Sequence, residues 1–170
     1  YCLHVSNITA GRKNVERLVD AAIKYEFKLV LAGSADASFE NSRMQRKIKY
    51  NENVEWIGRV SDERLMQLYD NAKVFALPSI GEGVGLVALE AAARGCDIVV
   101  TSIGGPKEYY NGLAFEVNPY DVDSIGNAVM MAMEATDRQP KLMQYIADNY
   151  SLQYCMGKLA DSYADGAPRR

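Results

Sequence analysis

Val74-Phe-Ala-Leu77-Pro78-Ser79-Ile80-Gly81-Glu82-Gly83-Val84-Gly85-Leu86-Val87-Ala88-Leu89-Glu90-Ala-Ala-Ala93-Arg94-Gly95-Cys96-Asp97-Ile98-Val-Val100 links two apolar runs through a glycine-rich loop and a helical stretch. Val74 to Leu77 and Ile98 to Val100 are unbroken by polar residues, which predicts strands covered on both faces. Between them, Leu86 to Gly95 predicts a helix that Gly95 stops. A strand, a helix and a second covered strand make a βαβ unit with parallel strands. Working outward, the alternation continues. Cys2 to Ser6 is a strand, and Val15, Leu18, Val19, Ala22 and Ile23 follow a helical period. Lys28 to Ala32 ends at Gly33, a charged and weakly helical stretch runs from about Ser38 to Lys49, and Val54 to Ile57 ends at Gly58. Ser61 with Asp62 and Glu63 opens a helix carrying Leu65, Leu68, Tyr69 and Ala72 on one face. Pro119 and Asp121 open another, with Val122, Ile125 and Val129, and two helices follow. The expected fold is α/β, a doubly wound, Rossmann-like parallel sheet with helices on both faces. It should occupy residues 1–165, with 166–170 as a flexible tail.

With 170 residues, 48% of them apolar and 24% charged, the chain suits one well-buried domain rather than two. A net charge of −3, with no basic run, gives no general attraction to nucleic acid or anionic lipid. Cys2, Cys96 and Cys155 are odd in number and form no Cys-x-x-Cys, which points to reduced thiols in a cytoplasmic setting, read as small buried apolar residues. Neither a secretory leader nor an apolar run of bilayer length is apparent. Tyr1 opens directly on a strand without an initiator Met, so a preceding part is expected to be missing.

In open α/β sheets ligands lie beyond the carboxyl ends of the strands, which directs attention to the loops at Ser6, Gly33, Gly58, Pro78 and Thr101. Three glycines alternate after Pro78, where free amides at a helix start suit an anion such as a phosphate. Glu82 stands in that loop. Glu90, on the second helical turn, falls beside Leu86, Leu89 and Ala93 and is expected to be partly desolvated. Two hydroxyl-seeking carboxylates beside a phosphate cradle suit a sugar nucleotide, one for the sugar and one for the ribose. Plainer readings exist. Glu90 could pair with Arg94 one turn on, Gly83-x-Gly85-x-x-Ala88 imitates a dinucleotide fingerprint, and Lys13 and Arg12 could be solvated charges. The strand after that fingerprint ends at Thr101 without the acid that would hold an adenosine ribose. Asp121-x-Asp123 reads as a helix cap, His4 as core, Tyr109 and Tyr110 as aromatic packing, and no metal site can be assembled from His and Cys.

Glu82-x7-Glu90, set in Glu-Gly-Val-Gly-Leu-Val-Ala-Leu-Glu-Ala-Ala-Ala-Arg-Gly, resembles the signature of retaining glycosyltransferases of family 4, which have the GT-B fold. The likeness extends through Trp56-Ile-Gly58-Arg-Val-Ser61, Leu68-Tyr-Asp-Asn-Ala-Lys-Val-Phe-Ala-Leu-Pro-Ser79, Gly104-Gly-Pro-Lys-Glu108 and Phe115 to Asp121. The resemblance implies the C-terminal, donor-binding half of that fold and a metal-independent hexosyl transfer from a UDP-sugar or GDP-sugar. The acceptor would be met by an N-terminal domain outside this chain, which could also place the protein at the inner membrane face. Glu90 would take ribose hydroxyls and Glu82 the donor sugar. The amides of Gly83, Val84, Gly85 and Leu86 would cradle the diphosphate, and Gly58-Arg59-Val60 would meet the base. Lys13, or Arg12 if the loop is one residue longer, would hold the diphosphate. Where the family usually has an arginine after the first strand, this chain has Asn7, which leaves open a sugar-nucleotide-binding module without transfer activity.

Overall fold

The computed structural model describes residues 1–134 and 138–166; the expected tail at 166–170 lies, beyond Gly166, outside the described residues. Strands β1 (Cys2–Val5), β2 (Leu29–Ala32), β3 (Val54–Trp56), β4 (Val74–Leu77), β5 (Asp97–Thr101) and β6 (Phe115–Val117) form one parallel sheet in the order β3-β2-β1-β4-β5-β6. Helices α1 (Val15–Tyr25), α2 (Arg43–Lys49) and α5 (Val122–Glu134) cover one face. On the other lie α3 (Asp62–Asn71), α4 (Leu86–Ala93) and α6 (Arg138–Tyr150). Two buried clusters, one per face, make the core: Leu18, Val19, Leu29, Leu31, Ile125 and Val129 on the first, Leu68, Tyr69, Phe75, Leu77, Ile98 and Leu142 on the second. The doubly wound expectation holds.

Two local expectations change. The stretch from Ser38 to Lys49 is two pieces, a 3-10 turn at Ala37–Phe39 and then α2, because Asn41 adopts φ +60° and Ser42 caps a fresh helix through the Gln45 amide at 3.0 Å. Strand β6 was not foreseen: its buried–exposed–buried residues alternate as a strand does, but three residues are too few to establish that period in the sequence. Asp121 does cap α5, accepting from the Asp123 amide at 2.9 Å. Cys2 and Cys96 are buried, but Cys155 is exposed on α7 (Leu152–Gly166), whose described side chains all face outward. No described helix is long and apolar enough to cross a membrane.

His4 sits inside the sheet, fully buried, with Nδ1 2.7 Å from the Ala76 carbonyl and Nε2 2.7 Å from Ser6 Oγ. A carbonyl only accepts, so Nδ1 carries the proton and the serine hydroxyl donates to Nε2. Burial pushes the imidazole from its ordinary 6.5 down to about 4; the Ala76 bond works against that shift and the Lys13 ammonium adds to it. Between those values the unfolded chain binds a proton that the folded chain does not. Stability therefore falls as pH drops through that window, by about 2 kcal/mol between pH 7 and 5 for this group. Denaturant midpoints at the two pH values check this: His4→Asn keeps a donor for Ala76 without titrating, and should show a loss smaller by that amount. Identical losses in both proteins would contradict it.

Candidate functional site

The chain order reverses between β1 and β4, so the loops leaving their carboxyl ends diverge and open a crevice, the place where open α/β sheets bind ligands. After β1 the chain turns through Gly11–Lys13 into Asn14, a buried residue at φ +59°. Its Nδ2 donates to the carbonyls of Pro78 (2.9 Å) and Pro119 (2.6 Å), and its Oδ1 accepts from Arg17 at 2.8 Å. The Ile80 amide donates to the Arg12 carbonyl at 2.8 Å. These bonds stitch the first and fourth loops together and fix where Lys13 points.

Lys13 Nζ donates to Glu82 Oε2, and the two side chains are only 15% and 10% exposed. Arg12, 64% exposed, stands 4.0 Å from Glu82 Oε1. The Gly83 amide donates to the same oxygen at 3.3 Å, and Ser79 Oγ lies 3.4 Å from Oε2. Burial alone would raise the Glu82 carboxyl, but the Lys13 bond, then the Gly83 amide and Arg12, more than offset it and hold it below its ordinary value. Behind this loop runs Gly104-Gly105-Pro106. A Cβ at Gly105 would come within 2.8 Å of the Gly83 carbonyl, so only glycine lets the fifth loop support the fourth this closely.

Gly85, at φ +73°, turns the chain into α4, which no side chain caps. Its carbonyl accepts from Ala88 (2.8 Å) and Leu89 (3.4 Å), leaving the amides ahead of them to a ligand. The helix start thus offers N–H groups and a positive dipole end at a depression that Lys13 also lines. That depression, of about 400 Å3, is lined by Lys13, Glu82, Val84, Gly85, Leu86 and Val87. A second, of about 260 Å3, is lined by Leu86, Leu89, Glu90, Ala93, Ile146 and Tyr150; Leu86 borders both. A third hollow, about 290 Å3 between the first loop and α2, is lined by none of Lys13, Glu82 and Glu90.

Glu90 departs from expectation. It is exposed rather than partly desolvated, because Leu86 beside it is itself 65% exposed where α4 meets the crevice. Nor does it pair with Arg94, whose guanidinium reaches Asp70 Oδ1 at 2.9 Å and Oδ2 at 3.1 Å. Instead the Tyr69 hydroxyl donates to Glu90 Oε2 at 3.1 Å. Arg59 is exposed and Val60 half-buried in the third loop, which is tied to the second through the Gly33 amide and the Gly58 carbonyl at 2.8 Å. Asn7 is exposed, and its Oδ1 accepts from the Thr9 amide (3.1 Å) and hydroxyl (2.7 Å), so it braces its own loop. Tyr110 is buried and the Tyr109 ring lies 5.6 Å from that of Tyr150, as aromatic packing requires. Asn14 and Tyr69 escaped sequence reasoning. Only the asparagine, which tolerates positive φ at a helix entry, left a signal there.

The model of the glycosyl transferases group 1 family matches residues 2–149. This chain belongs to that family. It is 36% identical over 123 residues to an uncharacterised glycosyltransferase of Methanocaldococcus jannaschii, covering 67% of this chain and 31% of that protein. It is 27% identical over 143 residues to O-antigen chain mannosyltransferase B of Escherichia coli, covering 79% and 37% respectively. The crystal structure of Anabaena HepE in complex with UDP and glucose superposes with a TM-score of 0.81 at 17% identity, covering 97% of this chain and 48% of that one. The glycosyltransferase chain thus spans about a third of those relatives and about half of HepE. Its sheet is the Rossmann-like half of the GT-B architecture.

Proposed function

We propose that this glycosyltransferase domain binds a nucleoside-diphosphate sugar, UDP- or GDP-linked, for retaining hexosyl transfer to a glycan or lipid-linked acceptor held by another domain. The observation that carries this reading is the Lys13–Glu82 pair at the switch point, set against the uncapped start of α4. HepE, with the same fold, is described in complex with UDP and glucose, which supports the ligand class. Transfer breaks the bond between the sugar and the diphosphate, and negative charge grows on the leaving phosphate. Lys13, Arg12 and the amides from Gly83 to Leu86, the first of them once released from Glu82 Oε1, would then stabilise that charge, and one such donor contributes about 2.7–4 kcal/mol to lowering a barrier. Arg12, close to Glu82 but mostly exposed, can supply the second positive charge that Asn7 does not. Isolated from an acceptor domain, the chain should bind donor without turning it over. A binding module without transfer activity is the second reading, favoured by Asn7 being spent on its own loop.

The two glutamates separate the roles. Glu90→Gln removes a charged acceptor from the ribose and should weaken every nucleoside diphosphate about tenfold. Glu82→Gln should leave nucleoside diphosphate binding nearly intact and weaken only the sugar-bearing donor. Calorimetric titration of both variants with UDP, GDP and their hexose conjugates distinguishes them. Unchanged affinity in Glu90→Gln would remove its assignment to the ribose.

A further inference from the structure

Glu90 is exposed, and a glutamate free to sample its rotamers gives up conformational entropy when a ligand fixes it. Here part of that ordering is already done. Tyr69, on α3, is fully buried, its ring edge-on to Phe75 at 5.9 Å and 62°, and its hydroxyl donates to Glu90 Oε2 at 3.1 Å. Burial, then the adjacent Glu90 carboxylate, push that hydroxyl far above the ordinary tyrosine range, so it stays a donor at any working pH. The next residue on the helix acts in the same sense. Asp70 holds the Arg94 guanidinium at 2.9 and 3.1 Å, with Met66 Sδ 3.1 Å from its other nitrogen. The cation one turn beyond Glu90, well placed to close on its carboxylate, is drawn onto α3 instead.

We propose that Tyr69 is a positioning residue for the nucleotide site: its buried hydroxyl holds Oε2 of Glu90 and presents Oε1 to the ribose hydroxyls, while Asp70 keeps Arg94 off that oxygen. The inference rests on the assignment of Glu90 to the ribose. A carboxylate has about four lone-pair positions, so one bond from Tyr69 leaves room for two ligand hydroxyls. Fixing the acceptor before the ligand arrives appears as affinity, because ordering that binding would otherwise impose is already in place.

A tyrosine that merely fills the core would behave differently in a double-mutant cycle. The chain, Tyr69→Phe, Glu90→Gln and the double variant are titrated with UDP or GDP, whichever the parent binds more tightly, and each is unfolded in denaturant. Tyr69→Phe keeps the ring and should bind about three- to tenfold more weakly. The same change should cost nothing further in the Glu90→Gln background. Asp70→Asn should also weaken binding, and Arg94→Ala in the same chain should restore it; this arm stands even if Tyr69→Phe folds poorly. Equal losses from Tyr69→Phe in both backgrounds, or parent affinity in Tyr69→Phe beside a weakened Glu90→Gln, overturn the positioning role. Parent affinity in Glu90→Gln instead overturns the ribose assignment, and the inference with it.

Discussion

Gly33→Ala should cost about 4 kcal/mol or more, a large part of the stability of a domain this size. Gly33 follows β2 at φ +127°, and a Cβ built on it would lie 1.8 Å from the Ser6 carbonyl oxygen and 2.8 Å from its carbon. Both contacts are with backbone, so no side-chain rotation relieves them. The Ser6 amide is bonded to the Ala32 carbonyl at 3.1 Å and the Gly33 amide to the Gly58 carbonyl at 2.8 Å, so separating the segments breaks sheet-end bonds. Any shift of Ser6 also moves the loop that carries Lys13. Gly112→Ala is the control. Gly112 has φ +73° with nothing within 4 Å of its added Cβ, so only the conformational cost of about 1–2 kcal/mol applies. Denaturant unfolding of the two variants measures the difference; equal small losses would contradict the close approach at Gly33.

Lys13→Met should lower affinity for nucleoside diphosphates by about one to two orders of magnitude, since a charge-assisted bond to phosphate contributes about 1.5–3 kcal/mol. The effect should depend on the phosphates. Affinity for the bare nucleoside should hold, because Lys13 stands at Glu82 and the start of α4 rather than at the third loop or Glu90. Methionine preserves the aliphatic stem, so loss of packing is small. The variant also leaves Glu82, 10% exposed, with Arg12 at 4.0 Å as its nearest cation, and its carboxyl should titrate higher than in the parent. Parallel titrations with the diphosphate and the nucleoside test the claim. Equal weakening of both would move Lys13 away from the phosphates.

The sheet and its helices were legible because β1, β2, β4 and β5 are mainly apolar, β3 leads through Ile57 to the turn at Gly58 despite its exposed Glu55, and each amphipathic helix keeps its period. Strand β6 was not, since its three residues are too few to establish a strand period. The fourth loop announced itself by alternating glycines, and Lys13 and Glu82 could each be nominated from local pattern. Their contact spans 69 positions and follows from topology: β1 and β4 become neighbours only when the chain crosses back after β3. Glu90 illustrates the opposite case. Helical spacing offered Arg94 as its partner, yet α3 supplied both Tyr69 for the glutamate and Asp70 for the arginine. An i, i+4 preference of about 0.2–0.5 kcal/mol is easily overridden by tertiary neighbours. Exposure at Glu90 and Cys155 escaped for the same reason, since which part of a stripe is covered depends on elements distant in sequence.

Binding of a nucleoside diphosphate at the start of α4 is the central claim, and calorimetric titration of the chain with UDP, GDP and NAD tests it most directly. The account predicts saturable one-to-one binding of at least one nucleoside diphosphate and no comparable heat from NAD. Ligand at about 100 times its dissociation constant should add about 2.7 kcal/mol to unfolding, visible as a raised melting midpoint. Silence from both nucleoside diphosphates, together with saturable binding of NAD, would contradict the assignment and restore the dinucleotide reading of Gly83-x-Gly85-x-x-Ala88.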